Sequence, residues 1–234
     1  MSEQGAEKHP HIPVRHVIDR IVLGGSDGAI EGVAITAALN GAGVAFRTIL
    51  VAGLAFAIAG SISMFFSSYL SGKSELDAIR TDMKREKMEI ETEPEEEKAE
   101  LEGLLRKEGY EKAEVDVIMS RLMKNKEMWL KEQLELELRV HVEDLATNPA
   151  TRSASAGVSF LGFALLVVAP YTLGWNAAAT FAASVSLSLS ALFVLGSRAF
   201  IPRHFDPKSG ASSALIGAAA AILLYAAGLL VSSL

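Results

Sequence analysis

Two long stretches of this chain carry no charged side chain. Ser153–Ser197 and Ser209–Leu234 contain no Asp, Glu, Lys or Arg. Each exceeds the roughly 18 apolar residues that mark a spanning helix. Backbone in hydrocarbon must satisfy its own hydrogen bonds, so such runs fold as helices unless they close into barrels. The charges gather instead between Lys73 and Asp144, which hold 22 of the 28 acidic and 14 of the 22 basic residues. Only that segregation reconciles 50% hydrophobic with 21% charged residues. The expected fold class is an all-α membrane protein: five transmembrane helices with a polar helical insert between helices 2 and 3.

Along the chain, residues 1–16 read as a polar cytoplasmic tail, residues 17–72 as helices 1 and 2, residues 73–150 as an acidic three-helix insert and residues 151–234 as helices 3–5. The first span is expected from Val17 or Ile21 to Val44 and the second over Phe46–Gly72. The others are expected near Ser155–Leu173, Ala177–Ser197 and Ala211–Ser233. Gly53, Ala57, Gly60 and Ser61 give the second span a small-residue face suited to close packing in lipid. Within the insert, Pro94 separates the first helix from the second and Gly109 ends the second. A third runs from Ala113 to Leu145, with a break near Asn125.

Lys8, Arg15 and Arg20 precede the first span, and Arg198, Arg203 and Lys208 lie between the fourth and fifth. The opposite loops hold only Arg47, so the positive-inside rule puts the N-terminus and insert in the cytoplasm and the C-terminus outside. The N-terminus lacks an apolar signal core, so no cleaved leader is expected. With no cysteine there is neither a disulfide nor a thiolate metal site. The net charge of −6 arises in the insert and argues against nucleic acid as a partner.

Charge reappears inside the first span, at Asp27 and Glu31. Four residues apart, they share a helix face. An ionised group at membrane depth costs roughly 2.5 kcal/mol or more and marks a functional site by default. At about 1.5 Å per residue, Asp27 lies about 10 Å in from Arg20 and Met64 about 13 Å in from Lys73, so the two could meet at one level. Oxygen with thioether suits a borderline transition metal better than Mg²⁺ or Ca²⁺, and Ser63, Ser67 and Ser68 add hydroxyls nearby. Against this, Met64 could serve packing alone, and Glu31 could pair with Arg47 of a neighbour. The insert offers Glu86 with Glu89 and Glu97 with Glu100, each at i, i+3. A continuous helix would align the four, whereas a break at Pro94 would oppose the pairs across a hairpin. Their spacing fits a solvated face paired with Lys84, Arg85, Lys87 and Lys98 at least as well as a cation site. Glu137 with His141 is a further weak pair.

With these residues in view, the chain resembles the vacuolar iron transporter family. The likeness rests on Ser26-Asp27-Gly28, on Gly60-Ser61-Ile62-Ser63-Met64 followed by Tyr69-Leu70, and on the acidic insert. Pro170-Tyr171 and Gly217-x-Ala219-Ala220 with Tyr225 and Gly228 complete it. The resemblance implies a homodimer that exports Fe²⁺ or Mn²⁺ from the cytoplasm against protons, along a path between the protomers' first and second helices. It implies translocation through Asp27 and Met64, with Glu31 joining them on the strength of its own place one turn from Asp27. It also implies metal binding by Glu86, Glu89, Glu97, Glu100 and Glu137 of the insert, which favours the cation reading of those glutamates. The metal is cargo, and no prosthetic group is expected. The host membrane would be the plasma membrane in a prokaryote and the vacuolar membrane otherwise.

The chain departs from the family pattern at Phe65-Phe66-Ser67-Ser68, which are bulkier and uncharged, and at Glu31, where the family tends to be uncharged. Gln133-Leu134 stands where plant members have paired methionines, which makes Mn²⁺ as plausible a cargo as Fe²⁺. Glu137-Leu138-Arg139-Val140 keeps half of the usual Glu-Leu-Gly-Leu. The alternative function is a membrane-embedded metal sensor or scaffold that binds without transport. An enzyme is not expected: Gly25-Ser26-Asp27-Gly28 has no membrane histidine beside it, and two acids on one helix do not make an aspartyl protease.

Overall fold

The computed structural model describes residues 11–139, 148–201 and 204–234, with side chains from residue 17 onward. Among these residues it contains eight α-helices and no strand. They are α1 (His11–Gly41), α2 (Phe46–Thr92), α3 (Pro94–Lys107), α4 (Lys112–Leu122), α5 (Lys126–Leu136), α6 (Pro149–Val168), α7 (Ala177–Gly196) and α8 (Pro207–Ser232). A 3₁₀ turn, Ala169–Thr172, follows α6. Five helices are long and apolar enough to cross a membrane: α1, α2, α6 with its 3₁₀ turn, α7 and α8. His141, and with it the Glu137–His141 pair, lies outside the described residues, as do Arg203 and the end of the third insert helix.

Two boundaries differ from expectation. Helix α1 starts at His11, inside the stretch read as a tail, because Pro13 falls in its first turn, where a missing N–H costs nothing. Helix α2 does not stop at Gly72. No proline lies between Phe46 and Thr92, so the apolar span continues into its charged extension as one helix of 47 residues. The expected break at Pro94 is present, with Pro94 in the first turn of α3. Gly109, at φ +101°, closes α3 in a conformation that suits glycine. Asn125 then splits the expected third helix: its side chain accepts hydrogen bonds from the N–H groups of Glu127 and Met128 and caps α5.

The chain divides into two compact units. In the first, residues 1–69 and 149–234, helix α1 packs against α6, α7 and α8. The contact is made by backbone. A Cβ on Gly24 would strike the carbonyl oxygen of Ala156, and one on Gly28 that of Phe160. Further along α1, Gly41 meets the Tyr225 carbonyl while Gly228 of α8 meets that of Ala38. Lipid supplies no hydrophobic drive between helices, so close approach of this kind holds a bundle together. Hydroxyls reinforce it: Ser159 donates to the Ile21 carbonyl at 2.7 Å and Ser188 to that of Ala29 at 2.9 Å. Asn40, the polar residue near the end of α1, donates to the Tyr171 hydroxyl at 2.6 Å. The small face of α2 behaves likewise, with Gly53 against Val168, Gly60 against the Phe160 ring, and Ser61 donating to the Gly157 carbonyl at 2.8 Å.

The second unit, residues 70–148, has a core of its own. Ile90 from α2, Leu101 and Leu105 from α3, Val115, Met119 and Leu122 from α4, and Trp129 from α5 form one buried cluster. The α2–α3 turn folds these elements into a hairpin that α4 and α5 close.

The glycine seam makes a stability prediction. Gly28→Val should destabilise the detergent-solubilised protein by about 1–3 kcal/mol, because its branches meet rigid backbone. Gly162→Val on α6, where nothing lies within 4 Å of an added Cβ, should leave the melting temperature near wild type. Equal melting temperatures for the two variants would rule out the seam as the source of packing stability.

Candidate functional site

Asp27 and Glu31 lie on α1, each one residue before a glycine of the seam, and so about 100° round the helix from it. Gly24, Gly28 and Gly32 face α6, and the Ala29 carbonyl faces Ser188 of α7. The two carboxylates are therefore turned off that packed side: Asp27 is half-buried and Glu31 exposed. Met64 of α2 is half-buried against the cluster of Ala57, Phe160 and Ala164. Just beyond it, Phe65 stacks on Tyr69 and meets Phe66 edge-on. Ser63 and Ser67 are exposed, while Ser68 is buried with its hydroxyl unpartnered among the described residues.

The glutamates of the insert come together more closely. Pro94 opens α3 in a new direction, so the pairs oppose one another as a hairpin rather than lining one helix. One member of each pair is inside and the other is not. Glu86 is 1% and Glu97 7% exposed, whereas Glu89 is half-buried and Glu100 exposed. Glu137, just past the end of α5, reaches the same place and feels the charge of Glu86. The solvated-face reading survives in part. Arg85 pairs with Glu86 at 3.1 Å and with Glu89 at 3.6 Å, and Lys98 pairs with Glu95.

Burial of like charges changes the protonation of this cluster. Desolvation first, and then the fields of Glu86, Glu100, Glu89 and Glu137, push the Glu97 carboxyl up to about 7. Burial, then the charge of Glu86, raises Glu137, while a hydrogen bond from Gln133 pulls it the other way. Gln133 itself is fully buried. Its Nε2 donates to Glu97 Oε2 at 3.0 Å and to Glu137 Oε2 at 3.4 Å, and its Oε1 has no partner among the described residues. Among those residues, no three His, Asp or Glu side chains are arranged to hold a metal ion. The Gln133 amide bridges Glu97 and Glu137 there. In the sequence, Gln133 stands out only by what it replaces. Its i, i+4 spacing to Glu137 was the available sign that it shares the acidic face.

A model of the VIT family matches residues 18–229. The chain belongs to the VIT family. It is 33% identical over 220 residues to vacuolar iron transporter 1 of Arabidopsis thaliana, covering 92% of this chain and 86% of that protein. Vacuolar iron transporter 1 of Eucalyptus grandis is 32% identical, over 93% and 88%. The vacuolar iron transporter of Toxoplasma gondii is 30% identical, over 90% and 73%. The resemblance drawn from the motifs thus holds across both units, and the family is one of membrane transporters rather than enzymes.

The raised Glu97 carboxyl gives this VIT-family insert a pH signature. The folded state holds a proton that the unfolded chain releases near 4.5, so stability is greatest below that value. It falls as pH rises toward about 7 and is level beyond. With chelator present, Glu97→Gln should remove this slope. The variant should melt about 2–4 °C above wild type at pH 8 and together with it at pH 5. Parallel pH profiles for the two proteins would exclude Glu97 as the buried acid.

Proposed function

We propose that this protein is a secondary transporter that exports Fe²⁺, Mn²⁺ or both from the cytoplasm in exchange for protons. The observation that carries the reading is the pair of carboxylates one turn apart on the side of α1 away from its glycine seam, in a helix apolar enough to span. A charge there needs a compensating function. Names borne by the relatives, vacuolar iron transporters of plants and a parasite, agree with a metal cargo.

In this reading Asp27, Glu31 and the Met64 thioether form the translocation site, at the interface of a homodimer. Two oxygens and a sulfur suit a borderline divalent ion, and no oxygen cage retains it. Carboxylates bind metal only when ionised, so protonation from the outer side releases the ion and couples the two gradients. Glu86, Glu89, Glu97, Glu100 and Glu137 gather ions from the cytoplasm, in keeping with the N-terminus and insert inside and the C-terminus outside that the basic residues suggest. The division of the chain into a tail to residue 16, spans to 72, an insert to 150 and spans to 234 belongs to the same proposal, as functional parts rather than helix ends. A prokaryotic host would carry the protein in its plasma membrane and a eukaryotic one in the vacuolar membrane.

Reconstitution tests this directly. Proteoliposomes holding the wild-type protein should move Fe²⁺ or Mn²⁺ faster with an opposing proton gradient than without. Asp27→Ala should reduce flux to that of empty vesicles while eluting as a folded protein. Undiminished flux through Asp27→Ala would refute the translocation site, and metal binding without any wild-type flux would select the sensor or scaffold reading instead.

A further inference from the structure

Helices α7 and α8 meet closely at one end and less closely at the other. Near the connection between them, a Cβ on Gly210 would strike the Phe193 carbonyl oxygen, and Gly217 lies against the Leu192 side chain. The next glycine of α8, Gly228, is pressed instead on the Ala38 carbonyl of α1, and the Tyr225 carbonyl on Gly41. Helix α8 therefore passes from α7 to α1 along its length, and its far half leaves a wedge beside α7. That wedge is a groove of about 420 Å³, lined by Phe181 and Val185 of α7 and by Ala218, Ala221, Ile222 and Ala226 of α8. The Phe181 and Tyr225 rings, stacked with centroids 5.5 Å apart, bridge the two helices along it. No charged residue lines the groove, and its alanines keep it hollow.

We propose that this groove holds one acyl chain of a membrane phospholipid, in the leaflet at the C-terminal end of α8. Both walls belong to helices long and apolar enough to span, so hydrocarbon is what lies outside them. An empty wedge would cost its lining dispersion partners. Water is a poor filler, because an apolar hollow offers it too few hydrogen bonds. Chain methylenes answer both demands. The dimensions agree. At about 1.5 Å per residue, Ala218 to Ala226 covers about 12 Å of helix. That is close to one leaflet of a hydrocarbon core about 30 Å thick. If a methylene takes up roughly the 30 Å³ of a liquid water, the groove admits on the order of a dozen chain carbons. The chain stands in for side chains that α7 and α8 do not supply there. Lipid thereby joins the packing of the bundle as well as surrounding it, whatever the protein transports.

Two measurements on the full-length protein test this. Native mass spectrometry after detergent exchange counts the phospholipid each protomer retains. A phosphatidylcholine with a photoreactive diazirine in its acyl chain, in reconstituted vesicles, maps where that chain lies. Wild type should retain phospholipid, and its label should concentrate on residues 181–185 and 218–226. Ala218→Leu fills the groove from within the protein and should lose most of the retained lipid and most of that label. Ala226→Leu does the same from the other end of the groove and serves if Ala218→Leu does not fold. Ala219→Leu, exposed on α8 outside the lining, should keep both. A wild type that retains no phospholipid, or label spread evenly along the exposed faces of α7 and α8, would overturn the proposal and leave only surrounding lipid. Retention and labelling unchanged in a folded filling variant would overturn it as well. So would an unlabelled groove whose filling changes the oligomeric state, which would give the wedge to a second copy of the chain.

Discussion

Backbone-to-backbone contact along α1 is the interaction on which the membrane unit depends. Lipid tails are as apolar as leucine, so helices gain little from burying side chains against each other. They gain by approaching until carbonyls and Cα atoms touch, which only small residues permit. Gly24 and Gly28 do this against α6, and Gly41 with Gly228 does it against α8. Contacts this close fix how α1 is rotated about its axis. Once the glycines are set, Asp27 and Glu31 have no choice of direction and are carried to the flank that the seam leaves open. A charged pair in a spanning helix could otherwise roll toward whichever neighbour neutralised it.

The soluble unit solves the opposite problem. Its apolar core is ordinary, and its cost lies in placing Glu86 and Glu97 out of water beside a half-buried Glu137. Three devices lower that cost: Glu97 keeps a proton near neutral pH, Arg85 lends a guanidinium to Glu86, and the Gln133 amide bridges Glu97 and Glu137. Each substitutes for positive charge, and each is incomplete. The arginine is on the exposed side, the proton is only loosely held at neutral pH, and the amide leaves its oxygen stranded. A cluster built only for stability would replace a buried glutamate with an apolar residue of similar volume, which is often neutral or stabilising.

The helices are legible in the sequence and the site only unevenly. Two charge-free runs suffice for three spans, because hydrocarbon admits little else. Pro94, Gly109 and Asn125 mark turns through their own backbone chemistry, and each does so in the fold. The full length of α2 is not legible, because a change from apolar to charged composition ends a membrane crossing without ending a helix. The VIT-family membership was legible in the order of short motifs, none decisive alone. The glutamates were harder: i, i+3 spacing is the same for a solvated face and for a ligand pair. Which member turns inward depends on where α5 arrives after two further turns, and no local pattern encodes that. Gln133 was visible only as a missing thioether, since burial with a stranded carbonyl is a property of the folded neighbourhood.

The two clusters would ask different things of one ion. The insert offers several carboxylates, all hard oxygen, and under the proposed function it would raise occupancy from a dilute cytoplasm. That favours many charges and tolerates slow release. The proposed membrane site would offer two carboxylates and a single half-buried thioether, Met64, which is held against Phe160 and Ala57. Sulfur contributes little charge and binds Mn²⁺ or Fe²⁺ weakly, while discriminating against Mg²⁺ and Ca²⁺, which prefer oxygen throughout. A site that must let go gains from such a ligand, because selectivity is secured without a deep well. The aromatic stack of Phe65, Phe66 and Tyr69 directly after Met64 fits the same logic. It fills the next turn of α2 with rings instead of a further carboxylate, so nothing there adds charge that would hold the ion back.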